Sequence, residues 1–150
     1  MQKEMLLRLT LVFVPACALA ALDLAINAAL PTKAWDFHQR SQVWSALTAA
    51  LVVVLLLLAL LPSRLVAISA GVVAGGVLGN LISALEHGGR VPNPIVTSSL
   101  ALNVADIFVL AGVPVMVFAL GRISIHHRER IDRLIPPRRW ETALRRLLGL

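Results

Sequence analysis

The sequence contains few residues of the kinds that cross-link a chain or form metal clusters. Cys17 is its single cysteine, which excludes an internal disulfide framework and a cysteine-based metal site. Tyrosine is absent, aromatic residues make up 5% of the chain, and charged residues make up 15%. Residues 14–20 weakly resemble signal-peptide cleavage sites, but the apolar run continues beyond them, which favours an uncleaved segment. No metal or other cofactor is predicted.

Aliphatic residues dominate the sequence. The 150 residues are 58% hydrophobic, with a mean hydropathy of +0.82, whereas soluble domains are usually about 45–50% apolar. Four apolar runs cover residues 6–30, 43–62, 65–85 and 98–120. Because each is near the ~20 residues that cross a bilayer, the sequence predicts an all-α membrane protein with four transmembrane helices in one domain, residues 1–121.

Basic residues are concentrated after the last apolar run. Eight of the fourteen lysines and arginines lie in residues 122–150, and the net charge is +6. Since positive charge next to a membrane span marks the cytoplasmic side, we expect both termini to be cytoplasmic and predict no nucleic-acid binding. Residues 138–150 have the pattern of an amphipathic basic helix, which predicts contact with the lipids of the inner leaflet.

Six polar side chains interrupt the apolar runs. In the predicted topology all six lie near the outer face of the bilayer, where they would form one site between helices; they are Asp23, Asn27, Asn80, Ser83, Asn103 and Asp106. A structural alternative exists for most of them. Asn80 and Asn103 would then only fasten helices together, Asp23 would meet water or pair with Lys33, and Asp106 would also be structural.

Small residues recur every four positions in the third run, at Gly71, Gly75, Gly79 and Ser83. Such a row lets helix backbones approach closely in a bilayer. It favours tight packing within the bundle or, as a second interpretation, a membrane scaffold that binds other transmembrane helices.

Two segments resemble the signature motifs of lipoprotein signal peptidases, the signal peptidase II family. Residues 75–81 read GGVLGNL and are followed by His87-Gly88, and residues 103–106 read NVAD. The resemblance covers the first, third and fourth runs. It implies an aspartic endopeptidase of the bacterial inner membrane that cleaves prolipoprotein signal peptides with two aspartates. It also implies that Asp106 is one catalytic aspartate and that Asp23 is the aspartate of the first span.

The second catalytic position of the family falls on Ser83, and Ala84 replaces the arginine that usually follows. Asn27 stands where a lysine is expected. A serine hydroxyl is not ionised near neutral pH, so it cannot share a proton as a second carboxylate does. We therefore expect lost or weakened catalysis with retained binding of lipoprotein signal peptides or lipids, through Asn80, Asn103, Asp23 and Asn27. The alternative of an active peptidase uses a substitute carboxylate, either Glu86, one turn beyond Ser83, or Asp23. A further alternative pairs Ser83 as nucleophile with Asp106 as base.

Overall fold

The computed structural model describes residues 2–30, 32–33, 36–98, 100–126 and 146. The elements, in chain order, are α1 (Gln2–Ala29), β1 (Phe37–Gln39), α2 (Gln42–Leu57), a 3₁₀ turn (Leu58–Leu60), α3 (Arg64–Glu86), β2 (Arg90–Pro92), β3 (Ile95–Val96), β4 (Ala101–Leu102) and α4 (Val104–His126).

Four helices are long and apolar enough to cross a membrane, which confirms the predicted fold class of an integral membrane protein. The four strands and one end of every helix lie at the same end of the bundle, here called the loop end. The orientation of the termini relative to the membrane stays a prediction. Helix α4 continues past Gly121 to His126, while the predicted amphipathic helix 138–150 lies outside the described residues apart from Arg146.

Helix α3 is the centre of the bundle. In its most apolar window 67% of the residues are buried, against 22% in α1, 11% in α2 and 17% in α4. The glycine row produces this packing. A Cβ atom at Gly71 would lie 2.6 Å from the carbonyl oxygen of Val12, and one at Gly75 would lie 2.8 Å from Cβ of Leu19. The row therefore faces α1 and is covered by it, which is the close approach that the four-residue spacing predicts.

Two short antiparallel ladders cover the loop end. Strand β1 pairs with β2, and β3 pairs with β4. The chain leaves α3 through Gly88 and Gly89, whose φ angles are +63° and +87°, a conformation in which L-residues other than glycine are strained. This reversal returns the chain over the ends of the helices and brings β1 beside β2.

Helix α4 begins later than the apolar run that predicted it. The predicted run begins at residue 98, but Ala101 and Leu102 pair with β3 and do not extend the helix. A reciprocal capping arrangement explains the start at Val104. The Asp106 backbone N–H donates to Asn103 Oδ1 at 2.9 Å, and the Asn103 N–H donates to Asp106 Oδ2 at 3.2 Å. Each side chain thus satisfies a donor that the helix N-terminus leaves free.

Candidate functional site

The six polar residues form two hydrogen-bonded groups at the loop end. The first, called the closed cluster, consists of Asp23, Asn27 and Ser83 and joins α1 to α3. Asp23 is 0% exposed and Ser83 is 1% exposed. Asn27 Nδ2 donates to Asp23 Oδ2 at 3.0 Å and lies 3.4 Å from Ser83 Oγ. Asp23 is fully buried, so it does not meet water, which was one alternative that the sequence left open.

The closed cluster also anchors the start of α4. The other oxygen of Asp23, Oδ1, accepts the backbone N–H of Ala105 at 2.8 Å. That N–H belongs to the first turn of the helix, where it has no partner within the helix itself. Gly79 makes the arrangement possible, because a Cβ at this position would lie 2.9 Å from Asp23 Oδ2. Asp23 therefore ties α1, α3 and α4 together at one point.

The second group, called the open cluster, consists of Asn80, Asn103 and Asp106 and joins α3 to α4. Asn103 Nδ2 donates to Asn80 Oδ1 at 2.6 Å, and Asn80 Nδ2 donates to Asp106 Oδ1 at 3.0 Å. Asn103 is 0% exposed and Asn80 is 8% exposed, whereas Asp106 is only partly buried. The Asn80 side-chain amide and the Asn103 backbone N–H thus orient one carboxylate that remains accessible.

A cavity of about 520 Å³ lies beside the open cluster. Helices α2 and α4 form its sides, α3 forms its back, and β1 with β4 covers its loop end. Its lining residues are His38, Arg40, Trp44, Thr48, Leu51, Val77, Asn80, Ala101, Leu102, Asp106, Val109 and Leu110. Asp106 is the one carboxylate among these lining residues. Neither Asp23 nor Ser83 belongs to them.

Glu86, which the sequence offered as a second carboxylate, lies away from the cavity. Glu86 is the last residue of α3 and is exposed, and it does not line the cavity. The neighbouring His87 closes the helix end instead. Both its backbone N–H and its ring Nδ1 contact the carbonyl oxygen of Ser83, at 3.1 and 2.8 Å. The end of α3 is therefore fixed around Ser83 by backbone contacts that leave the serine hydroxyl to the closed cluster.

Sequence reasoning missed the cavity residues that come from outside the signature motifs. His38 and Arg40 line the cavity from β1 and its end, and Trp44 and Thr48 line it from α2. Asn93, only 2% exposed, contacts His38. One available signal was the two-residue spacing of His38 and Arg40, which places both side chains on one face of an extended segment.

The arrangement offers one oriented carboxylate beside an open, largely apolar cavity. Such a group can accept a proton or a hydrogen bond from a ligand, but a proton-sharing pair requires a second acid at the same place. No group of three or more His, Cys, Asp or Glu side chains in the described part of the chain is placed to hold a metal ion. Among the described residues, the cavity lining thus combines a single carboxylate, Asp106, with hydrogen-bond donors around it.

Comparison with known proteins identifies the family to which the chain belongs. The family model described as signal peptidase (SPase) II matches residues 4–122, which include all four helices except the ends of α1 and α4. No curated protein and no solved structure matches the chain significantly. The match covers well over half of the 150 residues and includes both signature segments, 75–81 and 103–106. The chain therefore belongs to the signal peptidase II family.

Proposed function

We propose that this protein is a signal peptidase II-like protein of the bacterial inner membrane whose proteolysis is lost or weakened and whose binding of lipoprotein signal peptides or lipids is retained. One observation carries the proposal. Asp106 is the single carboxylate among the described residues that line the cavity, and Ser83, at the second catalytic position of the family, is buried in the closed cluster.

The chemistry of the family explains the expected loss. Two carboxylates of an aspartic protease share a proton, so that one acts as base and the other as acid. A positioned acid or base contributes about 10²–10⁴-fold to the rate. The Ser83 hydroxyl lies 3.4 Å from Asn27 Nδ2 and belongs to the cluster that holds α1 to α3. It lacks the charge that an acid would supply at this position.

Neither of the two carboxylates considered as substitutes, Asp23 and Glu86, is placed to act as the second acid. Asp23 is fully buried, and each of its oxygens already accepts a hydrogen bond, from Ala105 and from Asn27. Glu86 is exposed and does not line the cavity. The scaffold interpretation is also weaker than the sequence suggested, because α1 covers Gly71 and Gly75 and no free small-residue surface is left there for a partner helix.

Retained binding is supported by the state of the cavity. Asn80 and Asn103 hold the Asp106 carboxylate in place, and the wall below it is formed by apolar residues of three helices. The Asp106 carboxylate is therefore held in place while it still faces the cavity, where a ligand can reach it.

The decisive experiment is complementation in bacterial cells that lack their own signal peptidase II. We expect the wild-type protein to process prolipoprotein poorly or not at all, and Ser83→Asp to increase processing. Ser83→Asn is the matched control, because it has nearly the same size and no acid, and it should not increase processing. Asp106→Asn combined with Ser83→Asp should abolish the gain.

Two results would overturn the proposal. Normal processing by the wild-type protein that depends on Asp106 would show that catalysis is intact. Failure of both the wild-type protein and Asp106→Asn to bind a synthetic lipidated signal peptide would show that binding is lost as well. The second measurement uses purified protein in detergent and requires no cleavage.

A further inference from the structure

One side of the cavity mouth, next to β1, carries side chains that can donate hydrogen bonds to a ligand. His38 and Arg40 both line it from one face of the extended segment at β1. The Asp106 carboxylate, on the opposite side, accepts hydrogen bonds from Asn80 and from the Asn103 backbone. The β1 side of the mouth is therefore the side that can receive a negatively charged group.

His38 is held by a neighbouring side chain. Asn93 Nδ2 contacts His38 Nδ1. This contact leaves Nε2 as the ring nitrogen available to a ligand in the cavity. Asn93 is itself held by its backbone N–H, which donates to the carbonyl oxygen of Asp36 at 3.2 Å.

Arg40 is held in place while part of its donor capacity is unused. Its backbone N–H donates to the Gly89 carbonyl at 2.7 Å, and its guanidinium carbon lies 4.9 Å from the ring centroid of Trp44. Its Nε is buried and has no hydrogen-bond partner among the described residues. Because Arg40 lines the cavity, its guanidinium N–H groups other than the enclosed Nε are the donors available to an acceptor there.

The remainder of the cavity is apolar and opens to the side of the bundle. Val77 forms part of its back, and Leu51 of α2 and Leu110 of α4 are 46% and 65% exposed at its edges. Because these two helices face a membrane, an aliphatic chain can enter between them from the surrounding lipid. The cavity therefore combines an anion-accepting mouth with a wall suited to a hydrocarbon chain.

We propose that this cavity binds a glycerophospholipid, with its phosphate at Arg40 and His38 and one acyl chain along Leu51, Val77 and Leu110. The inference rests on the retained binding proposed above and names the chemical class of one ligand. Free phosphate would leave the apolar wall unused, and a diacylglycerol would leave the donors of Arg40 and His38 without acceptors. A phospholipid satisfies both parts of the cavity at once.

Trp44 allows a direct test, because it lines the cavity beneath Arg40. Replacing Trp35 and Trp140 by Phe leaves Trp44 as the single tryptophan of the three. The purified full-length protein in detergent is titrated with phosphatidylglycerol carrying brominated acyl chains, which quench tryptophan fluorescence on contact. We expect saturable quenching, and brominated diacylglycerol should require about tenfold higher concentration, as expected for loss of a charge-assisted hydrogen bond. Inorganic phosphate alone should not displace the lipid.

Arg40→Gln and His38→Ala should each raise the apparent Kd for the phospholipid about tenfold. The matched control is Arg90→Gln. Arg90 also lies at the loop end and also stacks on an aromatic ring, with its guanidinium carbon 5.7 Å from the Phe37 centroid, but it does not line the cavity. It should change the apparent Kd less than twofold, and unchanged thermal unfolding midpoints should show that all three variants are folded.

Equal effects of Arg40→Gln and Arg90→Gln would overturn the proposal, because they would indicate general electrostatic attraction. Equal affinity for diacylglycerol and the phospholipid would overturn it too, and so would displacement by inorganic phosphate at matched concentration. None of these measurements involves cleavage. If no specific phospholipid binding is measured while Ser83→Asp restores processing in cells, only the phospholipid site is disproved. If the wild-type protein processes prolipoprotein normally, the proposed loss of catalysis is disproved instead.

Discussion

The closed and open clusters are built from nearly the same side chains and have opposite characters. Each contains one aspartate and at least one asparagine, and each joins α3 to a neighbouring helix. In the closed cluster the Asp23 carboxylate is fully buried, and its two oxygens are used by groups of the protein. In the open cluster the Asp106 carboxylate also accepts two hydrogen bonds but still faces a cavity.

The difference teaches that an acid in a membrane helix is not by itself a sign of a reactive site. Asp23 connects three helices, and its role can be explained by structure alone. Asp106 has the same charge and a similar number of partners, but an open cavity gives a ligand access to it. Access, more than the type of residue, separates a structural acid from a candidate functional one.

The largest expected effect is that of removing Asp23. Asp23→Ala leaves the Ala105 N–H and the Asn27 amide without their acceptor inside the bundle, and leaving buried donors unpaired costs about 1–3 kcal/mol each. We therefore expect the free energy of unfolding in mixed detergent micelles to fall by about 2–4 kcal/mol. Asp106→Ala should cost less, because water in the cavity can reach the donors that it leaves behind. If Asp23→Ala and Asp106→Ala lowered the free energy of unfolding equally, the two clusters would not differ in how strongly their aspartates stabilise the fold.

The packing that brings the open cluster together can be tested at Gly76. A Cβ at this position would collide with the backbone carbonyl oxygen of Ala105, and it would lie 2.9 Å from Cγ2 of Val109. Because a backbone atom cannot move aside cheaply, Gly76→Ala should lower the free energy of unfolding by about 1–3 kcal/mol.

Gly121→Ala is the control for this experiment, because a Cβ there meets nothing within 4 Å. It should leave stability unchanged or slightly raise it, since alanine favours a helix more than glycine does. A loss of stability as large as that of Gly76→Ala would show that the helix itself, and not its contact with α4, is sensitive to the change.

A smaller change in stability is expected for the hydrogen bond between the two asparagines of the open cluster. Asn80 and Asn103 are joined by a 2.6 Å hydrogen bond between buried amides. A double-mutant cycle with Asn80→Ala and Asn103→Ala should give a coupling energy of about 0.6 kcal/mol, the average for hydrogen bonds between membrane helices, and at most about 1.7 kcal/mol. Additive effects of the two substitutions would mean that the asparagines act independently.

The smallest effect on stability is expected for Ser83→Ala. The Ser83 hydroxyl lies 3.4 Å from Asn27 Nδ2, which keeps its shorter bond to Asp23 when the hydroxyl is removed. We expect a change below about 0.5 kcal/mol in the same unfolding assay. A loss comparable to that of Asp23→Ala would place Ser83 among the residues that hold the closed cluster together.

Much of the architecture was predictable because it depends on local composition. The four apolar runs predicted four membrane-spanning helices, and the segments 75–81 and 103–106 predicted the family. The common location of the polar residues also followed from the sequence, since alternating spans return the polar ends of the helices to the same side. The start of α4 was predicted wrongly, because apolar composition does not reveal a pairing between β3 and β4 or a cap formed by Asn103.

The sequence by itself determined the kind of molecule, the number of spans and the residues able to form a polar site. Only the tertiary structure decided that Asp23 is enclosed and Asp106 is accessible, and that Arg40 of a loop segment lies beside a cavity formed mainly by helices. The physical reason is that the periodicity of one helix depends on its own residues, whereas the exposure of a side chain depends on atoms contributed by distant segments.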